Sequence, residues 1–180
     1  MLLNEIIRNR VSSNKFTNTK VENNLIIELL DQAVYAPNHK MREPWRFIIL
    51  EGNGKLNFIQ KYLDEIHEEQ KDEIKKTMEK VFQAPMVVAF VMPKNSDYSD
   101  ELEDLQAISA VIQNFLLLLE EQGLGSFWKT PKYIESDLFK EVLGLNTNEI
   151  IAGLIMVGYA QSKNLPKPRK KAKDITTIYS

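Results

Sequence analysis

The chain has 180 residues, of which 43% are hydrophobic and 27% are charged, and its formal net charge at pH 7 is −2. This size and composition predict one soluble globular domain with a substantial core, and the near-neutral charge gives no reason to expect a nucleic acid or a membrane as partner. The absence of cysteine excludes disulfides, a zinc–thiolate site and a cysteine nucleophile, and it fits a cytoplasmic protein.

The apolar periodicity predicts a helix-rich chain whose strands do not alternate regularly with its helices, which is typical of the α+β class. The segment Gly52-Asn-Gly54 is expected to be a break between a strand and the following helix. The predicted helices are 2–9, 21–35, 56–82, 102–122 and 135–143, and the predicted strands are 47–50, 86–92, 126–129 and 150–159.

Three of these segments carry further expectations. Residues 86–92 are too uniformly apolar for an edge strand. The helix around Ala107–Leu119 is apolar on nearly every face, so it should be buried inside the domain or between subunits. The tail is rich in prolines and cations from residue 161 to residue 173, and it ends in a β-branched, strand-like piece, Ile175–Tyr179.

The segment from Ala36 to Leu50 joins three unlike parts. A helical pattern stops at Pro37, a polar and cationic loop (38–43) follows, and Pro44 opens the next strand. Ligand contacts often lie in a loop between a packed helix and a packed strand, although an ordinary helix stop would look the same.

This segment, with its Ala-Pro-Asn-His-Lys and Pro-Trp motifs, resembles the helix–loop–strand junction of the nitroreductase family of flavin enzymes, and most of all the short branch of that family. Three other blocks resemble the family in the same order along the chain. They are Arg10-Val-Ser-Ser-Asn-Lys15, Gly123-Leu-Gly-Ser-Phe-Trp-Lys-Thr130 and Ile150–Gly158.

The resemblance implies a mostly antiparallel central sheet flanked by helices, in an intertwined homodimer with two flavins at the subunit interface. Residues 1–162 would form the domain that binds flavin mononucleotide (FMN). Residues 163–180 would form an arm that packs on the partner subunit, since such an arm can add a strand to the edge of another sheet.

The resemblance also implies a phosphate site at the first block. Arg10 and Ser12 would bind the FMN phosphate through a guanidinium and a hydroxyl. Val11 stands where the family has a second arginine, so only its backbone N–H can contribute, and Lys15 or Lys129 could take a larger share. Without the resemblance, the same residues would be interpreted as a solvated basic turn.

By the same resemblance, His39 would contact the flavin of the other subunit. A metal site is not expected, because His67 is the only other histidine. Tyr35 stands where close relatives carry a flavin-contacting cation, and Glu43 stands where many members have glutamine. Tyr35 would therefore contact the cofactor by a hydrogen bond or by packing, because a tyrosine cannot form an ion pair with phosphate.

Trp128, Lys129 and Thr130 offer an aromatic face, a cation and a hydroxyl within three residues. A cation near a reduced flavin would stabilise its negative charge, so Lys129 could serve either the ring or the phosphate. The alternative is a strand end with an exposed lysine.

The function implied is an FMN-dependent NAD(P)H oxidoreductase that reduces nitroaromatics, quinones or similar electron-poor small molecules by ping-pong hydride transfer. No residue would be catalytic in the acid–base sense, because the cofactor carries the chemistry. The alternative left open is a flavin-binding or regulatory protein without physiological turnover.

Overall fold

A computed structural model describes residues 2–179, which form six α-helices around a four-stranded sheet. The helices are α1 (Leu3–Asn9), α2 (Asn23–Ala33), α3 (Gly52–Glu65), α4 (Glu68–Phe82), α5 (Tyr98–Glu121) and α6 (Asp137–Leu143). The strands are β1 (Arg46–Glu51), β2 (Met86–Pro93), β3 (Gly125–Lys129) and β4 (Glu149–Gly158).

The sheet has the order β1-β2-β4-β3, and every pair of neighbouring strands is antiparallel. The uniformly apolar strands β2 and β4 therefore lie in the interior, as predicted, because both of their faces are covered. The register shifts between Phe90 and Val91, where Ala152 of β4 is left over as a bulge. The α+β, antiparallel prediction is confirmed.

Each face of the sheet has its own hydrophobic core. One face packs against α3, α4 and α6 through residues such as Ala89 and Met156, and the other packs against α2 and α5 through Phe90 and Ile155. Successive side chains of a strand point to opposite faces, so β2 and β4 supply both cores.

The prediction of one charged helix over 56–82 was wrong. Ile66 and His67 adopt extended backbone, with ψ of 155° and 138°, and separate α3 from α4. The expected break at Gly52–Gly54 was also wrong. Gly52 has φ +48°, a left-handed value that glycine adopts without steric cost, and it turns the chain from β1 directly into α3.

Helix α5 begins four residues earlier than predicted because the Asp97 side chain accepts hydrogen bonds from the backbone N–H groups of Ser99 and Asp100. Its central residues are buried on the sheet, as expected. It is also long and apolar enough to span a bilayer by length and composition, a property that core helices share. A stripe near its start remains exposed and comprises Tyr98, Leu102 and Leu105.

The segment after α1 lies on the outer edge of β3. Ser12 pairs with Ser126 in a parallel bridge, and the backbone N–H of Ser13 donates to the Ser126 carbonyl at 2.9 Å. A side chain at Gly125 would collide with Ser13, since a Cβ there would lie 3.0 Å from the Ser13 Cβ. A glycine at this position therefore permits the close approach.

The tail beyond Gln161 is exposed throughout its described residues. Its strand-like end forms a 3-10 turn at Ala172–Ile175 and then no regular structure, so the expected strand is absent from the chain by itself. Within residues 2–179 no strand pairs with this piece, and β-propensity alone does not form a strand without a pairing partner.

Candidate functional site

The outer edge of β3 carries the first group of predicted site residues. Arg10 caps the C-terminal end of α1 and is half-buried, as is Val11, whereas Ser12 is exposed beside Ser126. Thus the block that resembles a phosphate site lies against the block that contains Trp128, although the two are more than a hundred residues apart in sequence.

Beyond Ser126, the edge of β3 is not paired with another strand among residues 2–179. The Ser126 carbonyl points outward to Ser13, so the backbone groups of Trp128 point to the same open edge. From Ser126 to Thr130 this edge runs for about 13 Å. An elongated ligand could follow it, with hydrogen-bonding backbone groups along its length.

The side chains of Trp128 and Lys129 lie on opposite faces of the sheet. The Lys129 ammonium lies 3.6 Å above the centre of the Phe127 ring, a cation–π contact, and it has no carboxylate partner within the described range. Thr130 is exposed just after the strand. One flat ligand therefore cannot rest on both side chains. The Lys129 ammonium remains available to an anionic ligand, because no carboxylate within residues 2–179 pairs with it.

Trp128 packs over Gly153 on the α2/α5 face of the sheet. Its indole N–H is buried and has no hydrogen-bond partner within residues 2–179. A buried donor without a partner is costly, so either the indole is retained for its packing or the N–H serves a group from outside the chain.

The second group of predicted site residues lies at the opposite edge of the sheet, in the segment before β1. Tyr35 follows α2 and is 89% exposed, and His39 begins a 3-10 turn. Arg42, in the same turn, forms ion pairs with three carboxylates at the start of α5. Sequence reasoning missed Arg42. A usable signal was Asp104, an acidic residue on the same helix face as the buried Ile108 and Val111, which needs a cation.

The two groups are far apart within one chain. Strands β1 and β3 are separated by three strand spacings, about 14 Å. Along the strands, Arg46 is level with Ile151 of β4 whereas Ser126 is level with Val157, which adds about 20 Å. The structure therefore brings Arg10, Val11 and Ser12 to the edge that ends at Thr130, but it does not bring Tyr35 or His39 to them.

A four-stranded antiparallel sheet covered by helices on both faces, with a cationic N-terminal segment on its edge strand, defines an α+β fold shared with solved nitroreductase-like structures. A model of the nitroreductase family matches residues 7–159, and the chain belongs to that family.

Individual relatives agree with this assignment. YfhC, a candidate NAD(P)H nitroreductase of Bacillus subtilis, is 34% identical over 96% of this chain and 92% of its own length. The crystal structure of a nitroreductase-like family protein from Bacillus cereus is 32% identical and superposes with a TM-score of 0.91 over 99% of this chain and 96% of that one. An FMN- and NADPH-dependent nitroreductase, NfnB from Sphigopyxis, shares the fold at 15% identity, with a TM-score of 0.80 over the whole of both chains.

Proposed function

We propose that this chain is an FMN-dependent oxidoreductase that takes hydride from NAD(P)H and passes it to electron-poor small molecules such as nitroaromatics or quinones. The observation that carries the proposal is the open edge of β3, where Arg10 and Ser12 lie at one end and Lys129 and Thr130 at the other. Membership of the nitroreductase family, and the FMN and NADPH dependence of NfnB, support it.

The donors at this edge fit the chemistry of FMN. Its phosphate is a dianion that needs charged and neutral donors, which the guanidinium of Arg10, the hydroxyl of Ser12 and the backbone N–H of Val11 can supply. Lys129 lies on the same strand and has no competing carboxylate among residues 2–179. FMN, when bound, would supply the hydride chemistry. The chain's own residues would hold the cofactor, orient it along β3 and place positive charge beside it.

A complete site would need two chains. His39 and Tyr35 lie at the far edge of the sheet from Arg10, so they would reach the flavin of a partner rather than their own. The tail supports the same proposal, because Leu165, Ile178 and Tyr179 are all more than 80% exposed and would be covered in a homodimer. We propose that residues 1–162 form the FMN-binding domain and that residues 163–180 pack on the partner.

One binding experiment tests the phosphate assignment. FMN should bind more tightly than riboflavin, which lacks the phosphate, and Arg10→Ala should weaken FMN binding by about 1.5–3 kcal/mol, the range for a hydrogen bond to a charged group. Arg8→Ala is the matched control, because Arg8 is an exposed arginine in the last turn of α1, two residues before Arg10. Equal affinity for FMN and riboflavin would overturn the assignment.

A second experiment tests turnover. The yellow holoprotein should bleach with NADH or NADPH without oxygen, and a quinone should restore the colour, with parallel initial-rate lines because both substrates use one site. A flavin that binds but stays oxidised would instead support a binding protein without turnover. That alternative is favoured by three replacements: Val11 for a phosphate-binding arginine, the exposed Tyr35 for a cation, and Glu43 for the glutamine of many family members.

A further inference from the structure

The loop from Asn38 to Glu43 is held in an unusual backbone conformation. Lys40, Met41 and Glu43 have φ values of 52°, 52° and 47°, in the left-handed region that side chains other than glycine rarely adopt. Three such residues within four positions make the loop strained, and strain of this kind persists only where the surroundings over-determine the backbone.

Bonds within the loop are few. The Asn38 side chain accepts a hydrogen bond from the backbone N–H of Glu43 at 3.0 Å, and the N–H of Arg42 donates to the His39 carbonyl at 3.1 Å. The side chains of Lys40 and Met41 are exposed, and the Met41 sulfur accepts only a long hydrogen bond, 4.0 Å, from the Asn38 amide. The restraint on the loop must therefore come mainly from Arg42.

Arg42 docks the loop on the first two turns of α5. Its Nε donates to Asp104 and its Nη1 to Asp100, each at 2.9 Å, and its Nη2 donates to Glu103 at 3.1 Å. Its Nη2 also donates to the Asp100 backbone carbonyl at 3.3 Å. Every nitrogen of the guanidinium thus has a partner, an arrangement that the planar fork of arginine allows and a lysine ammonium cannot reproduce.

Two of these carboxylates, Asp104 and Glu103, fix where the Arg42 guanidinium binds on α5. Asp104 is 2% exposed and its other oxygen accepts from the Asn95 amide at 2.5 Å, so its position is fixed by burial. Glu103 lies between Arg42 and His39, with the Nδ1 atom of His39 3.9 Å from the Glu103 carboxylate. Glu103 therefore lies close to both the Arg42 guanidinium and the Nδ1 atom of the His39 imidazole.

We propose that Arg42 is a positioning residue, which holds the strained loop on α5 so that His39 and Lys40 are presented in one fixed arrangement to a ligand held by a partner chain. This inference rests on the proposed function for the identity of that ligand, FMN. The order of the loop itself is independent of that function and can be measured without any flavin.

The test uses Arg42→Lys, which keeps the positive charge beside the buried Asp104 but cannot span three carboxylates. The matched control is Arg46→Lys, which makes the same change at an arginine that forms a two-bond ion pair with Glu149 just beyond the loop. In the flavin-free protein, hydrogen exchange of the amides of residues 39–43 should accelerate at least tenfold in Arg42→Lys and stay unchanged in Arg46→Lys.

The consequence for binding follows from the populated fraction of the ordered loop. If only about a tenth of the Arg42→Lys molecules keep the loop docked, the apparent Kd for FMN rises about tenfold. Adding His39→Ala to Arg42→Lys should cost less binding than His39→Ala costs alone, because the displaced loop no longer presents that side chain to the ligand.

The outcomes separate the two proposals. Unchanged loop exchange in Arg42→Lys, or equal acceleration in Arg46→Lys, overturns the positioning role of Arg42. Faster exchange with an unchanged Kd for FMN also overturns it, because Arg42 would then order the loop without that order contributing to ligand binding. If the wild-type protein binds no FMN, the proposed function fails, and the exchange data still decide whether Arg42 orders the loop.

Discussion

Replacing Gly153 by alanine should displace the indole of Trp128. A Cβ added at Gly153 would lie 2.7 Å from the Trp128 Cδ1 atom, 3.2 Å from Cε2 and closer still to Nε1, separations that packed atoms do not tolerate. Residue 153 is in the interior strand β4, so its backbone cannot retreat and the side chain of Trp128 must move. Overpacking of this kind costs about 1–3 kcal/mol.

For a chain of this length, a loss of 2 kcal/mol should lower Tm by about 4–8 °C. The assay is thermal unfolding for Tm and urea unfolding for the free energy, both followed by far-ultraviolet circular dichroism, which reports on the backbone. Gly54→Ala is the matched control. Gly54 lies in α3, nothing lies within 4 Å of an added Cβ there, and its φ is not positive, so alanine should stabilise by about 0.4–1 kcal/mol.

A double variant makes the reasoning stricter. Trp128→Phe combined with Gly153→Ala should be more stable than the sum of the single effects by about 1 kcal/mol, because the smaller ring makes room for the new methyl group. Full additivity, or a Gly153→Ala variant as stable as the wild type, would show that the indole does not occupy the space over Gly153. FMN binding should weaken with Gly153→Ala, since Lys129 and Thr130 follow the displaced Trp128.

Three further predictions concern charge and assembly. The Arg46 ion pair lowers the pKa of Glu149, so its stabilisation is present above the usual carboxyl range and is lost as pH falls through the lowered value. Glu149→Gln should therefore lower the unfolding free energy by about 1.5 kcal/mol near pH 7, and the difference should vanish in acid urea titrations. Burial lowers the pKa of Lys55, which donates to the backbone carbonyls of Ala84 and Pro85, so the cost of its charge should disappear as pH rises towards 10.5. The stability of the wild type relative to Lys55→Met should accordingly increase from pH 8 to pH 10.5, and a flat difference would contradict the burial argument. Deleting residues 163–180 should reduce both the mass measured by light scattering and the flavin content, whereas a full-length monomer with one FMN per chain would argue against the arm.

The hydrophobic pattern predicted most elements because burial sets that pattern directly. Strand β2 could be placed in the sheet interior from its unbroken apolar run alone. The division of α3 from α4 could not be predicted, since Ile66 continues the apolar periodicity of α3 and no glycine or proline marks the two residues that become extended.

The candidate site was predictable only in part. The resemblance placed Arg10, Ser12 and Lys129 on the same ligand, and the structure puts their segments on one strand edge. The opposite orientations of Trp128 and Lys129 follow from strand alternation once the strand is assigned, but the packing of Trp128 on Gly153 depends on the register of β3 against β4. The position of Asp104 on an apolar helix face indicated that a cation was needed, but not that Arg42 would supply it, because the two residues are about sixty residues apart in sequence and only the fold brings them together.

The central claim is that each flavin site is shared by two chains, and complementation between defective chains tests it most directly. Arg10→Ala and His39→Ala chains with different affinity tags should each bind FMN weakly as homodimers. In a purified mixed dimer, the intact Arg10 of one chain would face the intact His39 of the other at one of the two sites. If the sites are shared, each mixed dimer should bind one FMN with the wild-type Kd. Two equally weakened sites, with no tight binding, would contradict it, because every chain would then be completing its site with its own residues.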